Sequence, residues 1–189
     1  MIVIGIDPSL TNCGVSDGEH HEVIQTKPGP EDIGMIADIS RRCGEIVNGI
    51  AHFMNTHYAP GDFAFCVEAP MLTALQGGAD FLFEAGWLYN DLFAFLRQHN
   101  SSIYLVPTST LRKWATGKGN APKDEMKLRA FKKFGVEMER DPGCDKLFAF
   151  LLSKFGQAIE AGEVEFVNPK RRGAGKRAKA AVRKRGRAA

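Results

Sequence analysis

Four carboxylates carry the chemistry that this sequence offers: Asp7, Glu68, Asp141 and Asp145. Asp7 closes the apolar run Met1–Ile6 and Glu68 closes the apolar run Phe63–Val67, and each is followed closely by a proline, Pro8 or Pro70. An unbroken apolar run suits a strand buried on both faces. Proline has no N–H to give a ladder, so pairing loosens there. Each acid therefore stands at the carboxyl end of a buried strand, where an ion needs a partner or a task. A right-handed crossover lays the Glu68 strand parallel to the first and beside it, on the sheet edge where open α/β sheets bind ligands. Asp141 and Asp145 flank Pro142 at the start of the last apolar-periodic segment. Three or four carboxylates meeting at one edge repel one another unless cations neutralise them. Oxygen donors without histidine or cysteine suit Mg²⁺ or Mn²⁺. Two such ions can hold both the attacking water and the leaving oxygen of a phosphodiester.

Each acid also has a plainer use. Asp7 can start an Asx-turn, Glu68 can be a surface residue at a strand end, and Asp145 can answer the dipole of a helix. For Asp141 the better reading is a simple cap. The repeated order of apolar strand, carboxylate and proline is what sets Asp7, Glu68 and Asp145 apart. His20, His21, His52, His57 and His99 lie outside this set and receive no role.

The elements that must position these acids are legible along the chain. Thr11–Ser16 reads as an antiparallel return from the first strand, and His20–Thr26 as a third strand completing a meander. Lys27–Pro30 is a breaker. Apolar residues from Ile33 to Phe53 recur at helical spacing, predicting one helix over 31–57, frayed around Gly34, Gly44 and Gly49. After Met71–Gly78, a loop, the segment 79–97 is apolar nearly all round, so one side covers the sheet and the other is available to a second subunit. Ile103–Val106 is a short strand closed by Pro107, and 108–114 a turn or short helix. Pro122 opens a helix to Phe134, and Pro142 opens the last one, with Asp141 as its N-cap and Asp145 in its first turn. The order predicts an α/β fold: a mixed sheet with an antiparallel meander at one edge and crossover-linked parallel strands beyond.

Composition is that of one globular domain of 189 residues with 44% apolar content. No window is long and apolar enough to cross a bilayer, and no basic region precedes the first apolar run, so neither an anchor nor a signal peptide is expected. Cys13, Cys43, Cys66 and Cys144 form no CxxC pair, which argues against structural zinc or a disulfide framework and for a reducing cytoplasm. The net charge of +3 conceals a split: residues 169–189 hold ten Lys or Arg and no acid, leaving the rest at −7. This divides the chain into a folded domain over 1–168 and a basic tail, among it Lys170, Arg171 and Arg172, expected to stay disordered until it meets a polyanion. A second basic segment, Arg112–Lys133, carries eight Lys or Arg against Asp124 and Glu125. A solvated helix face accounts for Lys127–Lys133, less well for Lys118 and Lys123 beside the turn TGKGNAP.

The segments IGIDPSLTNCGV, VEAP, the helix reaching Glu84-Ala85-Gly86, TGKGNAPKDEM and CDKLFAFLL together resemble RuvC-type Holliday-junction resolvases, of the ribonuclease-H-like nucleases, over residues 1–156. The resemblance implies a ribonuclease-H-like five-stranded sheet flanked by helices, with one acid on the first strand, one on the fourth and a pair at the last helix. Matching motifs carry these to Asp7, Glu68 and Asp145. Asp141 is the fourth, although the family spaces its last pair three apart and here the spacing is four, across Pro142. By the same resemblance Lys123 and either Arg112 or Lys113 contact phosphates near the scissile bond, positioning DNA rather than reading it. Lys118, flanking the glycine-rich turn, is a further DNA-contact candidate from its charge and place. Family members place an aromatic wedge after the fourth strand; here that region offers Met71 and Leu72, an aliphatic wedge at most.

The implied protein is a crossover junction endodeoxyribonuclease of DNA recombination and repair, in a bacterial cell or a phage-infected host. It uses two Mg²⁺ per site, with Mn²⁺ as substitute, and nicks a four-way junction symmetrically as a homodimer, leaving 5′-phosphate and 3′-hydroxyl ends. Two other readings share parts of the pattern. In a nucleotide-binding protein of the actin and sugar-kinase type the phosphate loop also follows a strand ending in Asp, but that fold needs a second similar lobe, and this chain has neither the length nor a repeat to supply it. A non-catalytic branched-DNA-binding protein would use the tail and keep the acids for structure.

Overall fold

The alternation of large and small side chains within the apolar runs decides how this molecule is layered. A computed structural model describes residues 1–70, 78–99, 101–138 and 141–169. Strands β1 (Ile2–Asp7), β2 (Asn12–Ser16), β3 (His21–Gln25), β4 (Phe63–Glu68) and β5 (Ser102–Val106) form one sheet in the order β3-β2-β1-β4-β5. The meander β1-β2-β3 is antiparallel, and β1, β4 and β5 run parallel. Fold class, strand number and mixed topology are those expected.

Successive strand residues point to opposite faces. On β1 and β4 the large ones, Ile4, Ile6, Phe63, Phe65 and Val67, face helices α1 (Met35–His57) and α2 (Gly78–Leu96). Val3, Ala64 and Cys66 face the other layer, formed by α3 (Thr108–Thr116), α4 (Lys123–Phe134) and α5 (Asp145–Glu160). Both faces are thus covered, which is why the strands read as continuous apolar runs. The small-residue face lets α5 lie unusually close. A Cβ on Gly5 would stand 2.0 Å from the Ala149 carbonyl oxygen, and one on Gly14 would stand 2.1 Å from that of Asp145. Glycine at these two positions brings the start of α5 onto the ends of β1 and β2.

Three boundaries differ from expectation. The helix expected over 31–57 is a 3-10 turn at Glu31–Ile33, a break at Gly34 with φ 75°, and then α1, which continues through Gly44 and Gly49. Gly49 serves packing, since a Cβ there would collide with Ile24 of β3. Second, the turn or short helix expected over 108–114 is a short helix that runs two residues further, Thr108–Thr116. Third, α5 begins at Asp145 and not at Pro142, and its N-cap position is Cys144, in the left-handed region at φ 64°. Backbone of that kind is costly for a residue with a Cβ and needs a surrounding structure to hold it. Asp141 is therefore not the N-cap residue, though it still serves the helix: its Oδ2 accepts the Leu147 N–H at 3.0 Å.

Met71 and Leu72, and the tail with Lys170, Arg171 and Arg172, lie outside the described residues. Among the described residues, no helix is long and apolar enough to cross a membrane.

Candidate active site

The register of β1 and β4 brings the first two acids side by side. Ile6 pairs with Val67, so Asp7 and Glu68 follow as neighbours on adjacent parallel strands. Their carboxyl groups stand within hydrogen-bonding reach of one another. Burial, then the contact with Glu68 and its charge, then the charge of Asp145, hold the Asp7 carboxyl well above the ordinary aspartate range. The Lys123 ammonium pulls the other way. Burial raises Asp145 too, followed by the charge of Asp141 and against that of Lys123. Cys13, on β2, is pushed up to about 12 by burial and next by the Asp7 charge, so it is an inert thiol.

Asp145 comes to this edge because α5 crosses β1 and β2 over Gly5 and Gly14. Its carboxylate lies back over Gly143, where a Cβ would stand 2.4 Å from Oδ2. Lys123, first residue of α4, donates to the Gly143 carbonyl at 2.6 Å, which seats its charge between α4 and the start of α5. Asp141 is buried, with one carboxylate oxygen committed to the Leu147 N–H. The structure thus joins Asp7 and Glu68 directly, sets Asp145 within electrostatic reach, and places Asp141 behind Asp145.

The chemistry of this set fits a hard divalent cation, since an ion there would offset the burial and the neighbouring carboxylates that raise the Asp7 pKa. The geometry is less complete. Among the described residues, no three His, Cys, Asp or Glu side chains stand close enough together to hold one metal ion.

Three residues that the sequence did not single out support the pair. Thr108 donates its hydroxyl to Glu68 Oε1, and Tyr89 donates to the Glu68 carbonyl oxygen at 2.7 Å. Thr108 follows β5 and Pro107 just as Asp7 and Glu68 close β1 and β4, so the strand-end pattern could have found it. Tyr89 is hidden within an apolar helix. Arg42 is 6% exposed and gives its guanidinium to the loop after β1: Nη2 to the Leu10 carbonyl at 3.1 Å and to Thr11 Oγ1 at 3.2 Å, Nε to Thr26 Oγ1 at 2.9 Å. A buried arginine so bonded fixes the backbone on which Asp7 sits.

The expected DNA contacts divide. Lys123 lies at the acids. Arg112 is half-buried over the Phe148 ring, with its Cζ 5.8 Å from the ring centroid, and its Nε has no hydrogen-bond partner among the described residues. Lys113 is exposed, and Lys118 is exposed beside Glu125 at 3.4 Å.

No family model matches this chain, and no curated protein matches it in sequence. Solved structures do match in shape. The chain is similar to the structure of Thermus thermophilus RuvC, with 20% identity and a TM-score of 0.59, over 84% of this chain and 96% of that one. It is also similar to T. thermophilus RuvC in complex with a Holliday junction substrate, with 20% identity and a TM-score of 0.63, over 85% and 96% of the two chains. The fold is that of RuvC, as the sequence motifs implied.

Proposed function

We propose that this protein is a divalent-metal-dependent endonuclease for branched DNA, a Holliday-junction resolvase acting as a two-fold dimer in recombination and repair. The observation that carries the reading is the Asp7–Glu68 pair at the joined ends of β1 and β4, where burial and the neighbouring carboxyl hold Asp7 well above the ordinary aspartate range. Asp7, Glu68, Asp145 and Asp141 would hold the two Mg²⁺ or Mn²⁺ ions. When bound, such a pair supplies Lewis acidity at the phosphorus and lowers the pKa of an attacking water. The chain's own part is positioning. Thr108 fixes the Glu68 carboxylate, Arg42 fixes the loop behind Asp7, and Lys123 meets a non-bridging phosphate oxygen next to the acids. Arg112 is favoured over Lys113 for the next phosphate, because its half-buried guanidinium is held in place by Phe148 while Lys113 is free in solvent. Lys118, Met71 and Leu72, and the basic tail would add contacts outward along the arms.

One observation favours a second reading, a branched-DNA-binding protein that does not cut: no three-ligand group is assembled among the described residues. Asp7→Asn separates the two. Under the nuclease reading it lowers junction cleavage by at least about a thousandfold while junction affinity stays within a few-fold. Equal loss of cleavage and binding would count against Asp7 as a ligand.

A further inference from the structure

A cavity of about 300 Å³ opens beside the carboxylate pair on the α2 side of the sheet, and Glu68 lines it. Pro8, Leu10, Ala85 and Leu88 give it apolar walls, and Glu84 adds a second carboxylate from α2. Its size is at the small end of ligand cavities, roughly 300–1,000 Å³, and suits one flat ring rather than a length of chain. We infer that this cavity receives a nucleobase of the cleaved strand, turned out of the stack next to the scissile phosphate, and that Glu84 selects a base bearing an exocyclic amino group over thymine. The inference rests on the nuclease reading and adds a sequence preference to it.

The case is built from position and hydrogen-bonding chemistry. A phosphate seated at Asp7 and Glu68 has its own base within one nucleotide of a cavity that shares Glu68. Apolar walls accept the ring faces of an extruded base, whose pairing edge is then read by polar groups. As a carboxylate Glu84 can only accept. Ser9 and Thr11, which also line the cavity, can donate. Ser9 Oγ accepts the Thr11 N–H at 3.3 Å and Thr11 Oγ1 accepts from Arg42, and neither hydroxyl proton has an acceptor among the described residues. Cytosine and adenine present an amino donor beside a ring-nitrogen acceptor, matching that arrangement, and guanine presents two adjacent donors to the carboxylate. Thymine presents one N–H flanked by two carbonyl oxygens, so its lone pairs face those of Glu84.

The test is cleavage of four-way junctions randomised at the two nucleotides flanking the cut, by the full-length protein with Mn²⁺, with the product ends sequenced. At one flanking position, amino-bearing bases should be cut about tenfold faster than thymine. Glu84→Gln, which can both donate and accept, should bring that ratio close to one. Independently of any variant, the unaltered protein should lose a similar factor when inosine replaces guanine, or purine replaces adenine, at that position. Nicking that proceeds equally whatever base flanks the cut, or a preference that survives Glu84→Gln, would overturn the inference and leave the nuclease reading standing. No nicking of any junction would remove both.

Discussion

Asp7 stands half-buried at a strand end against a second carboxylate, and a proton or a cation relieves the pair. Its folded-state pKa lies above the ordinary value of 3.8, first through burial and then through Glu68, so the fold favours the neutral acid. That preference stabilises the protein fully below 3.8 and is lost as pH rises through the raised folded value. Metal-free protein should therefore lose thermal stability as pH rises over that window, and Mg²⁺ should restore more of it the higher the pH. Asp7→Asn should flatten both dependences; thermal melts at several pH values with chelator or Mg²⁺ check this, and an unaltered slope would contradict it. The sequence displayed Asp7 and Glu68 because both close apolar runs, a local signal. Arg42 and Tyr89 were not legible, because their partners, Leu10 and Glu68, lie 32 and 21 positions away and only the fold brings them near.

At the scale of elements, the site depends on how closely α5 rests on the sheet. Gly5 and Gly14 remove the side chains that would hold it off, and the nearest atoms are α5 backbone, which cannot swing aside. Gly5→Ala should cost about 3 kcal/mol by overpacking and displace Asp145 from the Asp7–Glu68 pair. Its expected signature is a lowered melting temperature together with a fall in cleavage measured well below that temperature. Strand and helix identities were plain in the sequence, including the buried parallel pair. The start of α5 was not. Asp-Pro has the form of an N-cap followed by a first helical residue, yet the chain makes a further turn at Cys144 and starts the helix at Asp145. That turn is held by long-range contacts, among them Lys123 to Gly143 and the burial of Cys144, which no local pattern announces.

For the whole molecule, the proposed dimer needs a face that a second copy can cover. On α2, Leu88, Leu92 and Leu96 are buried in the core, while Phe83 is 41% exposed and stacks edge-on with Trp87 at 5.4 Å. This is the face proposed to meet a second copy, in keeping with a segment whose apolar residues exceed what one sheet face needs. Phe83→Glu should shift the protein from dimer to monomer in sedimentation and uncouple the two nicks, since a lone site cannot cut opposing strands together. The central claim is that Asp7, Glu68 and Asp145 jointly serve metal-dependent cutting of branched DNA. Its most direct test is a four-way junction labelled in turn on each strand and incubated with the full-length protein, with Mg²⁺, with Mn²⁺ or with chelator. Paired, symmetric, ligatable nicks that require the metal are predicted; tight binding of the intact junction with no nick under any of these ions would contradict the account.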